Sequence, residues 1–249
     1  MAISQATGAV RYPESDGKPM AETPEHLEAM LYLISALQAY FAQRADVYVA
    51  GNQFMYWIEG NPTQRVAPDV YVAYGVPRRP YHPTWKVWEM GKAPDVIFEL
   101  TSRSTAAEDL GRKYRLYQRL GVKEYVLIDV TREYLIVPII LHRLQGREYV
   151  QVTSERPNDR EWRVLSEVLG LAVVVRAQDD GYLVRLYDPQ SGEYLPTPTE
   201  ALQHKQEALT LLEQERLRAE REAQSRAKLE ARLRQLEEEL RRLKESSGD

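Results

Sequence analysis

One strand–helix–strand stretch in the middle of the chain constrains the fold most. Val96–Leu100 is apolar apart from Glu99, as is typical of a buried strand. Thr105–Glu108 has the form of a capping box, and we predict that the helix it opens ends near Leu120. Tyr125–Asp129 is again a strand pattern. A unit of this kind predicts two parallel strands joined by a right-handed crossover.

The elements around this unit predict a single α/β domain. An amphipathic helix is predicted from Pro24, behind the N-cap Thr23, to about Arg44. Further short strands, rich in β-branched and aromatic residues, are predicted at 47–50, 54–58, 68–74, 135–144, 149–153, 172–176 and 182–187. We therefore expect a mixed central sheet flanked by helices over residues 24–196, preceded by an irregular Pro- and Gly-containing arm, residues 1–23.

The composition changes completely after residue 196. Residues 199–245 contain neither Gly nor Pro and consist almost entirely of Ala, Leu, Glu, Arg, Gln and Lys, which predicts a long helix in a tail spanning 197–249. Leucines alternate spacings of four and three near its end, as in the seam of a left-handed coiled coil. They are Leu229, Leu233, Leu236, Leu240 and Leu243. Upstream, the same register falls on charged residues. The coiled coil is therefore predicted only from about residue 227, and a homo-oligomer, most simply a dimer, is expected.

Composition excludes several classes of protein. The absence of cysteine rules out a disulfide scaffold and any Cys-based zinc site or nucleophile, and it is compatible with a reducing cytosol. No apolar run reaches the roughly 20 residues of a membrane span, and the first residues lack a signal-peptide pattern, so a cytoplasmic protein is expected. A net charge of −4 argues against a DNA-coating protein. It leaves open an enzyme that meets DNA through a local patch and divalent ions.

Lys113 is the most unusual residue of the central predicted helix. At about 100° per residue it falls near the centre of the apolar stripe rather than on the wet face. The stripe consists of Ala106, Leu110, Tyr114, Leu116, Tyr117 and Leu120. A lysine directed into a core is costly unless it meets a counter-charge. Glu99 shares one strand face with Asp95 and Ile97, and a helix that follows a strand packs back over the sheet. We therefore predict that Glu99 and Lys113 converge.

A third charge, Asp69, stands at the start of its own predicted strand. Two carboxylates and one ammonium around a common point suit metal-assisted hydrolysis of a phosphodiester. The carboxylates would hold Mg²⁺, and Lys113 would orient or deprotonate a water or stabilise the developing negative charge. These charged residues also have simpler interpretations. Asp109 and Lys113 at i,i+4 could be a local salt bridge, and Pro-Asp at a strand start is common turn chemistry.

Two segments of the sequence, APDVIFELTSRST at 93–105 and GVKEYVLID at 121–129, resemble the Uma2 family, as do Asp109, Lys113 and Tyr117 between them. VAPDV at 66–70 matches the earlier strand of the family, and the resemblance covers roughly residues 10–195. It implies a restriction-endonuclease-like fold of the PD-(D/E)XK nuclease superfamily and endonuclease activity on DNA with Mg²⁺ or Mn²⁺. It also implies Asp69 and Glu99 as metal ligands and Lys113 as the catalytic lysine, because Thr101 occupies the usual lysine position.

Other assignments stay open at this point. Asp109 is a candidate to orient Lys113, and Asp95 is a weaker candidate. Glu22 or Glu14 could supply the additional acid that nucleases of this fold often take from their first helix. His26 is expected to be structural. A protein that binds nucleic acid or protein without cutting, and that oligomerises through its tail, is the alternative function.

Overall fold

The computed structural model describes residues 10–15, 23–102, 105–179 and 181–246. The chain divides into two compact units, Met1–Thr197 and Pro198–Asp249. The candidate acid Glu22 lies outside the described residues.

The first unit contains four α-helices and fourteen strands among the described residues, and the second contains one helix. The helices are α1 (Pro24–Tyr40), α2 (Val87–Met90), α3 (Ala106–Glu108), α4 (Tyr114–Leu120) and α5 (Pro198–Ser246), with a π-helical segment, Asp109–Lys113, joining α3 to α4. The strands are β1 (Val47–Ala50), β2 (Met55–Tyr56), β3 (Arg65–Val66), β4 (Val70–Tyr74), β5 (Trp85–Lys86), β6 (Val96–Thr101), β7 (Glu124–Asp129), β8 (Ile139–Gln145), β9 (Glu148–Val152), β10 (Glu155–Asn158), β11 (Glu161–Ser166), β12 (Leu171–Ala177), β13 (Tyr182–Asp188) and β14 (Glu193–Tyr194).

The central sheet has six strands in the order β1-β4-β6-β7-β8-β9. β6 and β7 are parallel, with Glu99 opposite Leu127, and the other neighbours are antiparallel. This confirms the predicted mixed sheet. It also confirms that the strands before and after the central helix are parallel neighbours. A five-stranded antiparallel sheet, β10 to β14 in chain order, and a three-stranded sheet, β3-β2-β5, complete the unit.

Strand alternation on β6 divides the core into two clusters. Phe98 and Leu100 face the cluster that α1 and the five-stranded sheet share with the central sheet. Ile97 faces the other cluster, which includes Leu116 and Tyr117 of α4. Glu99 shares the face of Ile97 because side chains two residues apart lie on the same side of a strand. The one charged residue of β6 is thereby placed beneath the π-helical segment and α4.

Several local predictions differ from the structure. Helix α1 ends at Tyr40 rather than near Arg44. The segment between β4 and β6, for which no element was predicted, contains β5 and α2. The predicted capping box does not form. The Thr105 hydroxyl instead accepts a hydrogen bond from the Ser102 N–H at 3.1 Å, so it closes the turn before the helix. Strand β10 was not predicted because all four of its side chains are exposed and no apolar alternation marks it.

The second unit is the predicted tail helix. Helix α5 runs for 49 residues, from Pro198 to Ser246. The predicted seam leucines whose side chains are described are exposed, from 49% at Leu236 to 69% at Leu229. Within the described ranges we find no helix with the length and apolar content needed to cross a bilayer.

A buried carboxylate joins the central sheet to the five-stranded sheet. Glu124, the first residue of β7, is fully buried. Its carboxylate accepts hydrogen bonds from Arg143 Nε at 2.9 Å, from the Ser166 hydroxyl and from the Glu167 N–H at 3.1 Å. Ser166 ends β11, so this one side chain holds the two sheets in register.

We predict that Glu124→Ala lowers the free energy of unfolding by about 3 kcal/mol. The substitution leaves the partly buried Arg143 and the fully buried Ser166 without their shared acceptor. Urea denaturation measures this. The matched control is Glu167→Ala, which removes a carboxylate that contacts the same Arg143 but is 65% exposed, and we expect a loss below about 1 kcal/mol. Equal losses in the two variants would contradict the structural role of Glu124.

Candidate active site

The centre of the candidate site is an ion pair between β6 and the π-helical segment. Lys113 Nζ lies 2.9 Å from Glu99 Oε2, and both side chains are almost completely buried. The second carboxylate oxygen of Glu99 accepts a hydrogen bond from the Tyr117 hydroxyl at 2.7 Å. The predicted convergence of Glu99 and Lys113 is confirmed.

The π-helical segment brings a second carboxylate to the same ammonium. Asp109 Oδ1 lies 2.8 Å from Lys113 Nζ, and the Asp109 side chain is 1% exposed. The Tyr125 hydroxyl donates to the Asp109 backbone carbonyl at 3.1 Å, which ties this turn to β7. π-Helical turns are uncommon and often occur at functional sites. Here the wider turn directs both Asp109 and Lys113 inward.

Asp69 reaches the site from the neighbouring strand. It immediately precedes β4, and its Oδ2 accepts a hydrogen bond from the Leu100 N–H at 2.7 Å, which places it beside Glu99. Its side chain keeps 19% exposure, so it is the most accessible of the three carboxylates. A Cβ on Gly51 would lie 2.0 Å from the Asp69 carbonyl oxygen, so only glycine allows this close approach of the β1–β2 turn.

The site holds more negative charge than its lysine neutralises. Burial raises the pKa of Glu99 to about 8 against the opposing effect of Lys113, and Asp69 and Asp109 raise it further. Burial also raises the pKa of Asp109. Burial alone would lower the pKa of Lys113, but Glu99 and Asp109 outweigh it and raise that pKa. The lysine therefore stays charged near neutral pH, and Glu99 is protonated more readily than a glutamate exposed to water.

The donor set fits a divalent cation held by two carboxylates. Mg²⁺ is usually bound through one or two carboxylates with water or phosphate oxygens as the other ligands, and Asp69 and Glu99 supply such a pair. Thr101, two residues after Glu99 on the same strand face, has a buried hydroxyl for which the described residues offer no hydrogen-bond partner. Among the described residues no three His, Asp or Glu side chains form a ready-made metal cluster. The fit therefore rests on the two carboxylates and the excess negative charge.

The remaining candidates lie elsewhere. Asp95, at the other end of β6, accepts hydrogen bonds from the Tyr74 N–H at 2.8 Å and from Lys92 Nζ at 2.5 Å, and it pairs with Lys123. Although burial acts to raise the pKa of Asp95, these bonds lower it. The structure therefore places Asp95 in a separate network. Glu14 is exposed within the short described segment 10–15.

Two side chains at the site were not identified from the sequence. His26 Nε2, near the start of α1, lies 3.4 Å from Asp69 Oδ1, although His26 was expected to be only structural. No local pattern signals a contact between two elements so far apart in sequence. Tyr117 was recognised as a member of the apolar stripe and as part of the family resemblance, but its contact with Glu99 was not predicted. Its position one helical turn after Lys113, on the same face, was the available signal.

Comparison with known proteins identifies the family. The family model of Uma2, described as "Putative restriction endonuclease", matches residues 4–220. This chain belongs to the Uma2 family. Among solved structures it is similar to a "putative nuclease belonging to DUF820" from Anabaena variabilis ATCC 29413, with 15% identity over 64% of this chain and 86% of the other, and a TM-score of 0.42. No curated protein matches the sequence.

The raised pKa of Glu99 predicts a pH-dependent stability. A folded-state pKa near 8, above the unfolded value near 4.5, contributes stability at low pH that is lost as the pH rises between those values. In the wild type we predict that the free energy of unfolding falls by on the order of 3 kcal/mol between pH 4.5 and 8. The Glu99→Gln variant should lack this fall, because its side chain carries no titratable proton. Urea denaturation across this range is the measurement. Parallel curves for the two proteins would show that Glu99 titrates normally.

Proposed function

We propose that this member of the Uma2 family is a metal-dependent endonuclease that hydrolyses DNA phosphodiester bonds at the Asp69–Glu99–Lys113 site. The observation that carries the proposal is the buried Lys113 ammonium, held between Glu99 and Asp109. The partly exposed Asp69 joins them by accepting a hydrogen bond from the N–H of Leu100, the residue after Glu99. A structural ion pair needs only one partner for its lysine. A surplus of carboxylates, one of them partly exposed, suits phosphoryl chemistry with a divalent cation.

Each residue has a distinct role in this proposal. Asp69 and Glu99 would hold Mg²⁺ or Mn²⁺, which when bound neutralises phosphate charge and acidifies a bound water. Lys113 has a raised pKa and is fully protonated at neutral pH, so it cannot accept a proton from that water. We therefore assign Lys113 to orienting the water or stabilising negative charge on the phosphate. Asp109 and Tyr117 position Lys113 and Glu99.

The proton on Glu99 makes the proposed activity pH-dependent. A carboxylate must be deprotonated to bind a cation, and burial raises the pKa of Glu99 to about 8. Cation binding therefore competes with this proton, and activity should increase as the pH rises towards 8.

A basic surface supports nucleic acid as the substrate despite the net negative charge. Arg115 and Arg119 lie on the outer face of α4, opposite Lys113, and Arg147 lies in the β8–β9 turn. The three border a surface hollow of about 500 Å³. They are exposed, and within the described part of the chain none has a carboxylate partner. Unpaired arginines of this kind favour phosphate contacts.

We also propose where the chain acts and how it assembles. The chain acts in the cytoplasm, which its cysteine-free composition fits, and it functions as a homo-oligomer joined through its tail helix. The second candidate function is binding of nucleic acid or protein without cleavage, and the acidic net charge of −4 favours this candidate over an enzyme that acts on DNA. The two candidates differ in whether phosphodiester bonds are broken.

We predict that the wild-type protein cleaves plasmid DNA in Mg²⁺ or Mn²⁺ and that Asp69→Asn, Glu99→Gln and Lys113→Met each lower the rate about 100-fold or more, because each removes a ligand or a stabilising charge. Gel analysis of plasmid cleavage is the measurement. Lys92→Met is the matched control, because it removes a lysine that is also ion-paired to a β6-region carboxylate but lies in the Asp95 network. Its rate should be unchanged.

Folding of each variant is checked by its urea midpoint, so that loss of activity is separated from loss of structure. Asp69→Asn is the safest variant in this respect because its side chain is partly exposed. Cleavage by Asp69→Asn or Lys113→Met at the wild-type rate, or no cleavage by the folded wild type, would overturn the enzyme proposal.

We also predict that a triple variant, Arg115→Ala, Arg119→Ala and Arg147→Ala, binds a DNA duplex at least about 10-fold more weakly and with a shallower salt dependence, because phosphate contacts are lost. Fluorescence anisotropy in EDTA measures binding without cleavage. Arg156→Ala is the control, since Arg156 is equally exposed but paired with Asp159. An unchanged affinity of the triple variant would exclude this surface as the DNA contact.

A further inference from the structure

The end of helix α5 carries an apolar stripe that contacts no other element among the described residues of its own unit. Leu229, Leu233, Leu236 and Leu240 are between 49% and 69% exposed. Their alternating spacing of four and three is that of the d and a positions of a heptad, so all four lie along one line of the helix. Around the stripe, residues 218–242 of the helix are mostly charged. Four exposed leucines along one line of such a segment are the pattern expected of a helix whose partner is another chain.

We propose that this stripe pairs with the same stripe of a second copy of the chain, as a parallel, in-register, two-stranded coiled coil over residues 229–240. The proposal concerns the orientation of the pair and does not depend on nuclease activity. A second copy is the occupant that fits, because the stripe repeats d and a positions and is self-complementary.

The charges beside the stripe distinguish the two orientations. With Leu233 at a and Leu236 at d, Arg232 is a g residue and Glu237 is the following e residue. In a parallel pair the g residue of one chain faces the following e residue of the other, so Arg232 meets Glu237 on both edges. Both side chains are exposed and available for this contact.

An antiparallel pair gains no such advantage. The alignment that keeps all four leucines in layers sets Leu229 opposite Leu240 and Leu233 opposite Leu236. It then brings Arg232 near Glu239 on one edge but Glu230 near Glu237 on the other, so the two attractions along one edge are offset by two repulsions along the other. The charge pattern therefore favours the parallel pair.

The upstream helix limits the length of the seam. The same register places Arg226 at a and Glu222 at d, and these residues make i,i+4 ion pairs along their own helix, Arg226 with Glu230 and Arg218 with Glu222. A seam of four leucine layers predicts a weak, concentration-dependent dimer rather than a permanent one. In a parallel dimer the two Met1–Thr197 units leave the seam at the same end.

The absence of cysteine allows a direct test by cross-linking. We expect full-length Leu229→Cys and full-length Leu240→Cys each to form a disulfide-linked homodimer under mild oxidation. Ala231→Cys, at the outward-facing f position, is the control and should cross-link about 10-fold more slowly, because its sulfur faces away from the partner. Non-reducing gel electrophoresis at several protein concentrations is the readout.

An antiparallel pair cannot give this result. Positions 229 and 240 are separated by about 16 Å along the helix, so in the layered antiparallel alignment neither cysteine reaches its own counterpart. Disulfides that form only when the two variants are mixed would show the antiparallel pair. Cross-linking of Leu229→Cys and Leu240→Cys no faster than that of Ala231→Cys would overturn the seam altogether.

Charge reversal tests the orientation without a cross-link. Arg232→Glu and Glu237→Arg each place like charges across a parallel seam, so each should dimerise more weakly than the wild type. Mixing the two variants restores opposite charges on both edges, so a heterodimer should form more readily than either homodimer. Native mass spectrometry of the mixture measures the three species. A heterodimer no more abundant than the random expectation would contradict the parallel register.

Discussion

The buried ammonium of Lys113 is the interaction on which the site depends. A charged lysine inside a core is tolerated only with carboxylates in direct contact, and Glu99 and Asp109 supply two at 2.9 and 2.8 Å. The second carboxylate, with Asp69 nearby, exceeds what neutralisation requires. Burial raises the pKa of Glu99, and Asp69 and Asp109 raise it further. The proposed cation site rests on this surplus of carboxylates around one lysine.

The architecture serves to bring these charges together from separate elements. The parallel β6–β7 pair places its connecting helix over the face that carries Glu99, and the π-helical segment directs Asp109 and Lys113 to one point. The Leu100 N–H fixes Asp69 from the next strand. Glycine at position 51 lets the β1–β2 turn approach Asp69 closely. The Uma2 family match agrees with a nuclease fold, while the roles of the individual residues rest on this geometry.

The sequence predicted the parts of the site that local periodicity controls. Strand alternation and helical phase together placed Glu99 against Lys113, because both patterns act within one strand–helix–strand unit. Asp69 required the family resemblance, since nothing local connects the start of β4 with β6. The contact of His26 with Asp69 was missed for the same reason, and β10 was missed because its exposed side chains carry no pattern. Residues 109–113 carry no sequence signature that would predict a π-helical turn.

The most direct test of the site is calorimetry of Mn²⁺ binding at pH 7 in two buffers with different ionisation enthalpies. If the cation displaces the proton of Glu99, the wild-type protein releases about one proton per ion bound, because the pKa of Glu99 is near 8. Glu99→Gln should bind more weakly and release no proton. Wild-type binding without proton release, or equal binding by Glu99→Gln, would contradict the assignment of Glu99 and Asp69 as the cation site.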